Sequence, residues 1–90
     1  MVVSTVKITD VDQFLGVFTS KGAEKRKEKG SGGSHVFRDP NDENRMLVVF
    51  DMDEEAMQAL LSDPDMPAIF EEAGLQGRPQ TAELVGEYDA

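Results

Sequence analysis

His35 is the only side chain in this sequence whose ordinary pKa lies near neutrality. It follows the glycine-rich segment Gly30-Ser31-Gly32-Gly33-Ser34. There it suits a general base, or an axial haem ligand, at the mouth of a pocket. It equally suits a strand-end histidine, because a base needs an orienting partner that no spacing in the chain supplies. The glycines do not form a phosphate cradle. A phosphate loop runs through Gly-Lys-Ser/Thr into a helix, and a dinucleotide loop follows a strand. Here a helical pattern precedes and a strand pattern follows, so the segment reads as a flexible link. The large apolar residues Phe14, Phe18, Phe37, Phe50 and Met66 could line a cavity for a flat aromatic or polyketide-like ligand. They are also what a 90-residue chain needs to fill a core, with methionine as adaptable filler.

The remaining polar candidates are weaker. Arg38 and Arg45 flank Asp39–Asn44 and could meet a ligand carboxylate, although pairing with Asp39, Asp42 or Glu43 explains them more simply. Asp51, Asp53, Glu54, Glu55, Asp63 and Asp65 lack the spacing and the glycine of a calcium loop; Asp53, Glu54, Asp63 and Asp65 read as helix starts. No Ser-His-Asp arrangement, carboxylate pair or metal-ligand spacing stands out. With no cysteine there is no disulfide, thiolate metal site or cysteine nucleophile. No metal and no cofactor is expected.

Charge narrows the partners. Asp and Glu number 18 against 9 Lys and Arg, a net of −9, which opposes non-specific binding to nucleic acid or an anionic membrane. No apolar stretch approaches the ~20 residues of a membrane span. The start, MVVSTVKITD, lacks a basic region followed by an apolar one, so no signal peptide is expected and a cytoplasmic location follows. The charge is unevenly placed: residues 1–38 carry seven basic and four acidic groups, and residues 39–90 two and fourteen. The basic excess is concentrated in Lys21, Lys25, Arg26, Lys27 and Lys29. That run is either a polyanion site or, more simply, the solvated C-terminal end of a helix, where cations suit the dipole.

Hydrophobic patterning supplies the elements. Val2–Ile8 is β-branched and alternating, a strand. Asp10 followed by Gln13 has the form of a capping box. Val11, Phe14, Leu15 and Phe18 then fall on one helical face, and the basic run continues that helix to about Lys29, where Gly30 closes it. His35–Arg38 is a short strand before the turn-forming Asp39–Asn44. Met46–Met52 is the next strand, with Met46/Val48/Phe50/Met52 on one face and Leu47/Val49/Asp51 on the other. Both faces are largely apolar, whereas a strand with one wet face alternates apolar with polar. A second helix carries Ala56, Met57, Leu60 and Leu61, breaks at Ser62-Asp63-Pro64, and resumes with Met66, Ile69, Phe70 and Ala73. Gly74 is its left-handed cap, with Leu75 placed for the accompanying contact. Thr81–Tyr88 reads as a final strand.

The order is β-α-β-β-α-β, the ferredoxin-like arrangement: one α+β domain over residues 1–90, a four-stranded antiparallel sheet with two helices on one face. The other face carries the apolar Leu47 and Val49. A second copy, packed sheet against sheet in a homodimer, would cover it.

This element order, together with Ser62-Asp63-Pro64-Asp65-Met66-Pro67 leading to Glu72-Ala73-Gly74-Leu75 and Gly77-Arg78-Pro79, resembles the dimeric α/β-barrel superfamily over about residues 2–88. The resemblance implies a sheet-paired homodimer and a range of activities, among them antibiotic-biosynthesis-type monooxygenases and polyketide cyclases. Its haem-degrading members use a Trp beside Asn and His, and this chain has no Trp.

Three functions are expected to compete. The first is a homodimer that binds a small hydrophobic or aromatic molecule among Phe14, Phe18, His35, Phe37, Phe50 and Met66. The second is a cofactor-independent monooxygenase or cyclase acting near His35. The third is a regulatory ferredoxin-like module. Nucleic-acid reading is disfavoured, since basic, aromatic-rich strands are absent.

Overall fold

Strand β1 (Val2–Lys7) turns Val2, Ser4 and Val6 inward and leaves Val3, Thr5 and Lys7 half-exposed. β3 (Asp42–Phe50) follows the same rule, with Met46, Val48 and Phe50 buried and Arg45, Leu47 and Val49 half-exposed. With β2 (Ser34–Asp39) and β4 (Gln80–Thr81) they form one antiparallel sheet in the order β2-β3-β1-β4. This is the ferredoxin-like order, seen in a computed structural model that describes residues 1–90. The inner face meets the helices around twelve buried apolar residues, Ile8, Met46, Met57 and Val48 being the most enclosed. No helix is long and apolar enough to cross a membrane.

Four helical segments replace the two expected helices: α1 (Val11–Phe18), α2 (Lys21–Glu28), α3 (Glu54–Leu61) and α4 (Met66–Glu72). The single helix expected through Lys29 is interrupted at Thr19-Ser20. There the two hydroxyls donate back to carbonyls of the preceding turn, Thr19 to Leu15 at 2.8 Å and Ser20 to Gly16 at 2.7 Å. Such local bonds compete with helix propagation. Asp10 caps α1 by accepting from the Gln13 amide at 2.9 Å. The Gln13 side chain, however, reaches the Glu72 carbonyl at 2.8 Å instead of closing a capping box, and so ties α1 to α4. Pro64 lies in the turn before α4, which opens with Met66-Pro67.

Glycines end two of these segments. At Gly30 (φ 84°), the Gly30 and Ser31 amides donate to the Lys27 and Arg26 carbonyls. At Gly74 (φ 77°), Gly74 and Leu75 donate to Glu71 and Phe70. Both are the paired-bond termination that requires a left-handed residue. A Cβ at position 74 would lie 2.6 Å from Thr9 Oγ1. Gly74→Ala therefore combines left-handed strain of about 1–2 kcal/mol with a clash where α4 meets the start of α1. Thermal denaturation should show Tm lowered by roughly 5–15 °C; an unchanged Tm would mean that this junction is not held as described.

Three other expectations are corrected. Gly30–Ser34 is not a free link: Gly32 donates to the Asp51 carbonyl and the Asp51 amide to Gly33, each at 2.9 Å, continuing the β2–β3 ladder. The turn expected over Asp39–Asn44 is shorter, since Asp39 already pairs with Asp42. The final strand stops at Thr81, with one further bond from the Ala82 amide to Val3. Thr5 faces Gln80 and Ser4 faces Thr81, so this antiparallel register exhausts β1 within a few residues. A strand continued to Tyr88 would run off the sheet, and Leu84, Val85 and Tyr88 are exposed.

Candidate functional site

Between the inner sheet face and the helices lies a partly open cavity of about 70 Å³. Its lining is apolar. Val6, Val48 and Phe50 come from the sheet, Phe14, Val17 and Phe18 from α1, and Met57, Leu60, Met66, Ile69 and Phe70 from α3 and α4. The phenyl rings of Phe14 and Phe18 are 5.4 Å apart and those of Phe18 and Phe50 6.3 Å apart, all tilted, as aromatic pairs prefer. Only two polar side chains reach this surface, Ser4 and Arg26. Ser4 is buried, with its hydroxyl 3.5 Å from that of Thr81.

Arg26 arrives from α2, whose Gly22 is buried against α1. A Cβ there would sit 3.0 Å from Arg26 Nη1 and 3.3 Å from the Val17 carbonyl oxygen. The guanidinium stacks over the Phe18 ring, 3.7 Å from its centroid, and Nη2 donates to the Phe18 carbonyl at 2.9 Å. Burial lowers its pKa from the ordinary arginine value.

The rest of the basic run holds α2 in place. Lys21 pairs with Glu72 at 2.7 Å; Lys25 pairs with Asp65 at 2.7 Å and Asp63 at 3.2 Å; Lys29 pairs with Asp63 at 3.5 Å. Hydrogen bonds from Lys25 to Asp65 and Asp63 raise the Lys25 pKa. The Asp65 amide, ahead of Lys25, holds the Asp63 carboxyl below its ordinary range. Three of the five cations of the basic run are thus paired internally, against Asp63, Asp65 and Glu72. Asp65 stands at the start of α4 as expected, without a side-chain capping bond, and Asp63 accepts its amide; both also serve as counter-ions to Lys25, while Asp53 caps α3 through the Ala56 amide at 2.7 Å. Away from the site, Asp42 is lowered by Lys7 first and then by the Asn44 amide, and Arg45 approaches Asp42.

The expected site residues divide between two faces. Phe14, Phe18, Phe50 and Met66 line the cavity. His35 and Phe37 do not: they alternate with the inward Val36 and pair with Val49 and Leu47, which puts them on the outer sheet face. Phe37 is 55% exposed there, beside the half-exposed Val3, Leu47 and Val49. Grouping His35 and Phe37 with the pocket is therefore corrected, and His35 is no base for a molecule held inside it. Arg26 and Ser4 were missed. The one local signal for Arg26 is Gly22 four residues before it, on the same side of α2.

No family model matches the sequence, and no curated protein does. Solved structures match over nearly the whole chain. SnoaB, a cofactor-independent oxygenase from Streptomyces nogalater, superposes with a TM-score of 0.65 at 14% identity, covering 99% of this chain and 95% of its own. A proposed antibiotic biosynthesis monooxygenase from Caulobacter crescentus gives 0.65 at 17% identity, over 97% and 88%. Another from Deinococcus radiodurans gives 0.60 at 14%, over 100% and 98%. This chain shares their ferredoxin-like fold. At such identities the likeness carries the fold and no activity.

Proposed function

We propose that this protein binds a small hydrophobic or aromatic molecule between helices and sheet, and does so as a homodimer. The observation that carries the first part is the cavity: 14 of its 18 lining residues are hydrophobic, with Ser4 and Arg26 as its polar side chains, a composition typical of small-molecule sites. At about 70 Å³ it is smaller than the ~150 Å³ apolar cavity that admits benzene. Ring entry thus requires half-buried side chains such as Phe70, or α2 itself, to shift. The dimer is supported by the apolar outer patch of half-exposed Val3, Leu47 and Val49 beside the exposed Phe37, the kind of surface that marks an interface.

Binding is tested with 2-naphthol, whose fluorescence is easily read because the protein has no Trp. Saturable binding is expected. It should be lost in Ala73→Leu, which fills a buried lining position. Equal binding by both proteins would place the ligand elsewhere and sink the reading.

A second reading, oxygenation of an aromatic substrate without a cofactor, is favoured by the SnoaB fold and by the apolar lining. Its mark is oxygen uptake dependent on an aromatic substrate and lost in the same Ala73→Leu variant. Binding without oxygen uptake leaves the first reading alone.

A further inference from the structure

Arg26 stands apart from its basic neighbours. Lys21, Lys25 and Lys29 each have an acidic partner within 4.0 Å, and Arg26 has none. Lys27 is also unpaired, but it is exposed and bathed in solvent. The Arg26 guanidinium is half-buried on the wall of an apolar cavity. Of its five N–H donors, one is engaged by the Phe18 carbonyl. Removing a cation from water without a counter-ion is costly, and stacking on Phe18 offsets that cost only in part. The donors left over form a planar fork that matches a carboxylate.

We infer that Arg26 is the recognition group of this cavity and that the preferred occupant is a small aromatic carboxylate, its ring among Phe14, Phe18 and Phe50 and its carboxylate on the guanidinium. This rests on the cavity being a binding site and adds the chemical class of what it takes. Charge elsewhere is consistent with the assignment. The acidic groups of the α3–α4 junction, Asp63 and Asp65, are occupied by Lys25 and Lys29, so no carboxylate competes for Arg26.

The test compares phenylacetate with its neutral analogue 2-phenylethanol by NMR titration at pH 7, in the wild-type protein and in Arg26→Gln and Arg26→Lys. The acid should bind about tenfold or more tightly than the alcohol, as a charge-assisted contact implies. Arg26→Gln should abolish that ratio while leaving alcohol binding, and Arg26→Lys should restore part of it. A merely structural Arg26 would weaken both probes alike and leave the ratio unmoved. If both probes bind equally to the wild type, or the ratio survives Arg26→Gln, the assignment to Arg26 is overturned and the cavity reading stands. If neither probe binds the wild type, the cavity reading fails and this inference falls with it.

Discussion

Met57→Ala should lower stability by about 2–5 kcal/mol, the usual cost of truncating a fully buried methionine. Met57 is 2% exposed, belongs to the main core and lines the cavity from α3. Its loss removes contacts to both the helical layer and the sheet. In a domain whose total stability is of order 5–15 kcal/mol, that is a large share, visible as a fall in Tm of about 10 °C or more. Val85→Ala, at a 92% exposed position, should change little and serves as the control. Met57→Ala also enlarges the cavity that Met57 lines, so an apolar ligand should restore more stability to this variant than to the wild type. Such a ligand at a hundred times its Kd contributes about 2.7 kcal/mol. A cost below about 1 kcal/mol would mean that Met57 is not packed where the fold puts it.

Leu47→Glu should convert the proposed dimer to monomer. Leu47 sits at the centre of the outer sheet face, between Thr5 of β1 and Phe37 of β2. A second copy on that face would enclose the new carboxylate without a partner, which costs several kcal/mol. The dimer Kd should then weaken about a hundredfold or more. In the separated monomer the position is only half-buried, so Tm in dilute solution should move little. Sedimentation at micromolar concentration reads both states. A monomeric wild type would remove the second copy from the account.

The elements that could be read from sequence are those set by local chemistry. The Asp10 and Asp53 caps, the left-handed Gly30 and Gly74, and the apolar faces of α1, α3 and α4 all follow from side chains within one or two turns. So does the two-faced β3, and with it the ferredoxin-like order. What escaped depends on distance or register. His35 and Phe37 face outward because Val36 pairs with the inward Val48, in a register that shifts between Arg38 and Asp39; composition alone does not fix that parity. The last strand is cut short by where β1 begins, almost eighty residues earlier. Arg26 looks like any member of a solvated basic run until α2 is docked, when its neighbours find Asp63, Asp65 and Glu72 and it alone meets the cavity. The break at Thr19-Ser20 was a local signal that the apolar spacing before it and the basic run after it outweighed.

The central claim is that the space between helices and sheet receives a ligand. It is tested most directly by methyl-methionine NMR, because the five methionines sample different places. Met57 and Met66 line the cavity; Met46 and Met52 are buried outside its lining, and Met1 is exposed. On titration with 2-naphthol, the Met57 and Met66 methyl signals should shift and saturate together, while those of Met1, Met46 and Met52 stay close to their starting positions. Saturable binding that leaves Met57 and Met66 unmoved, or no binding at all, would contradict the account.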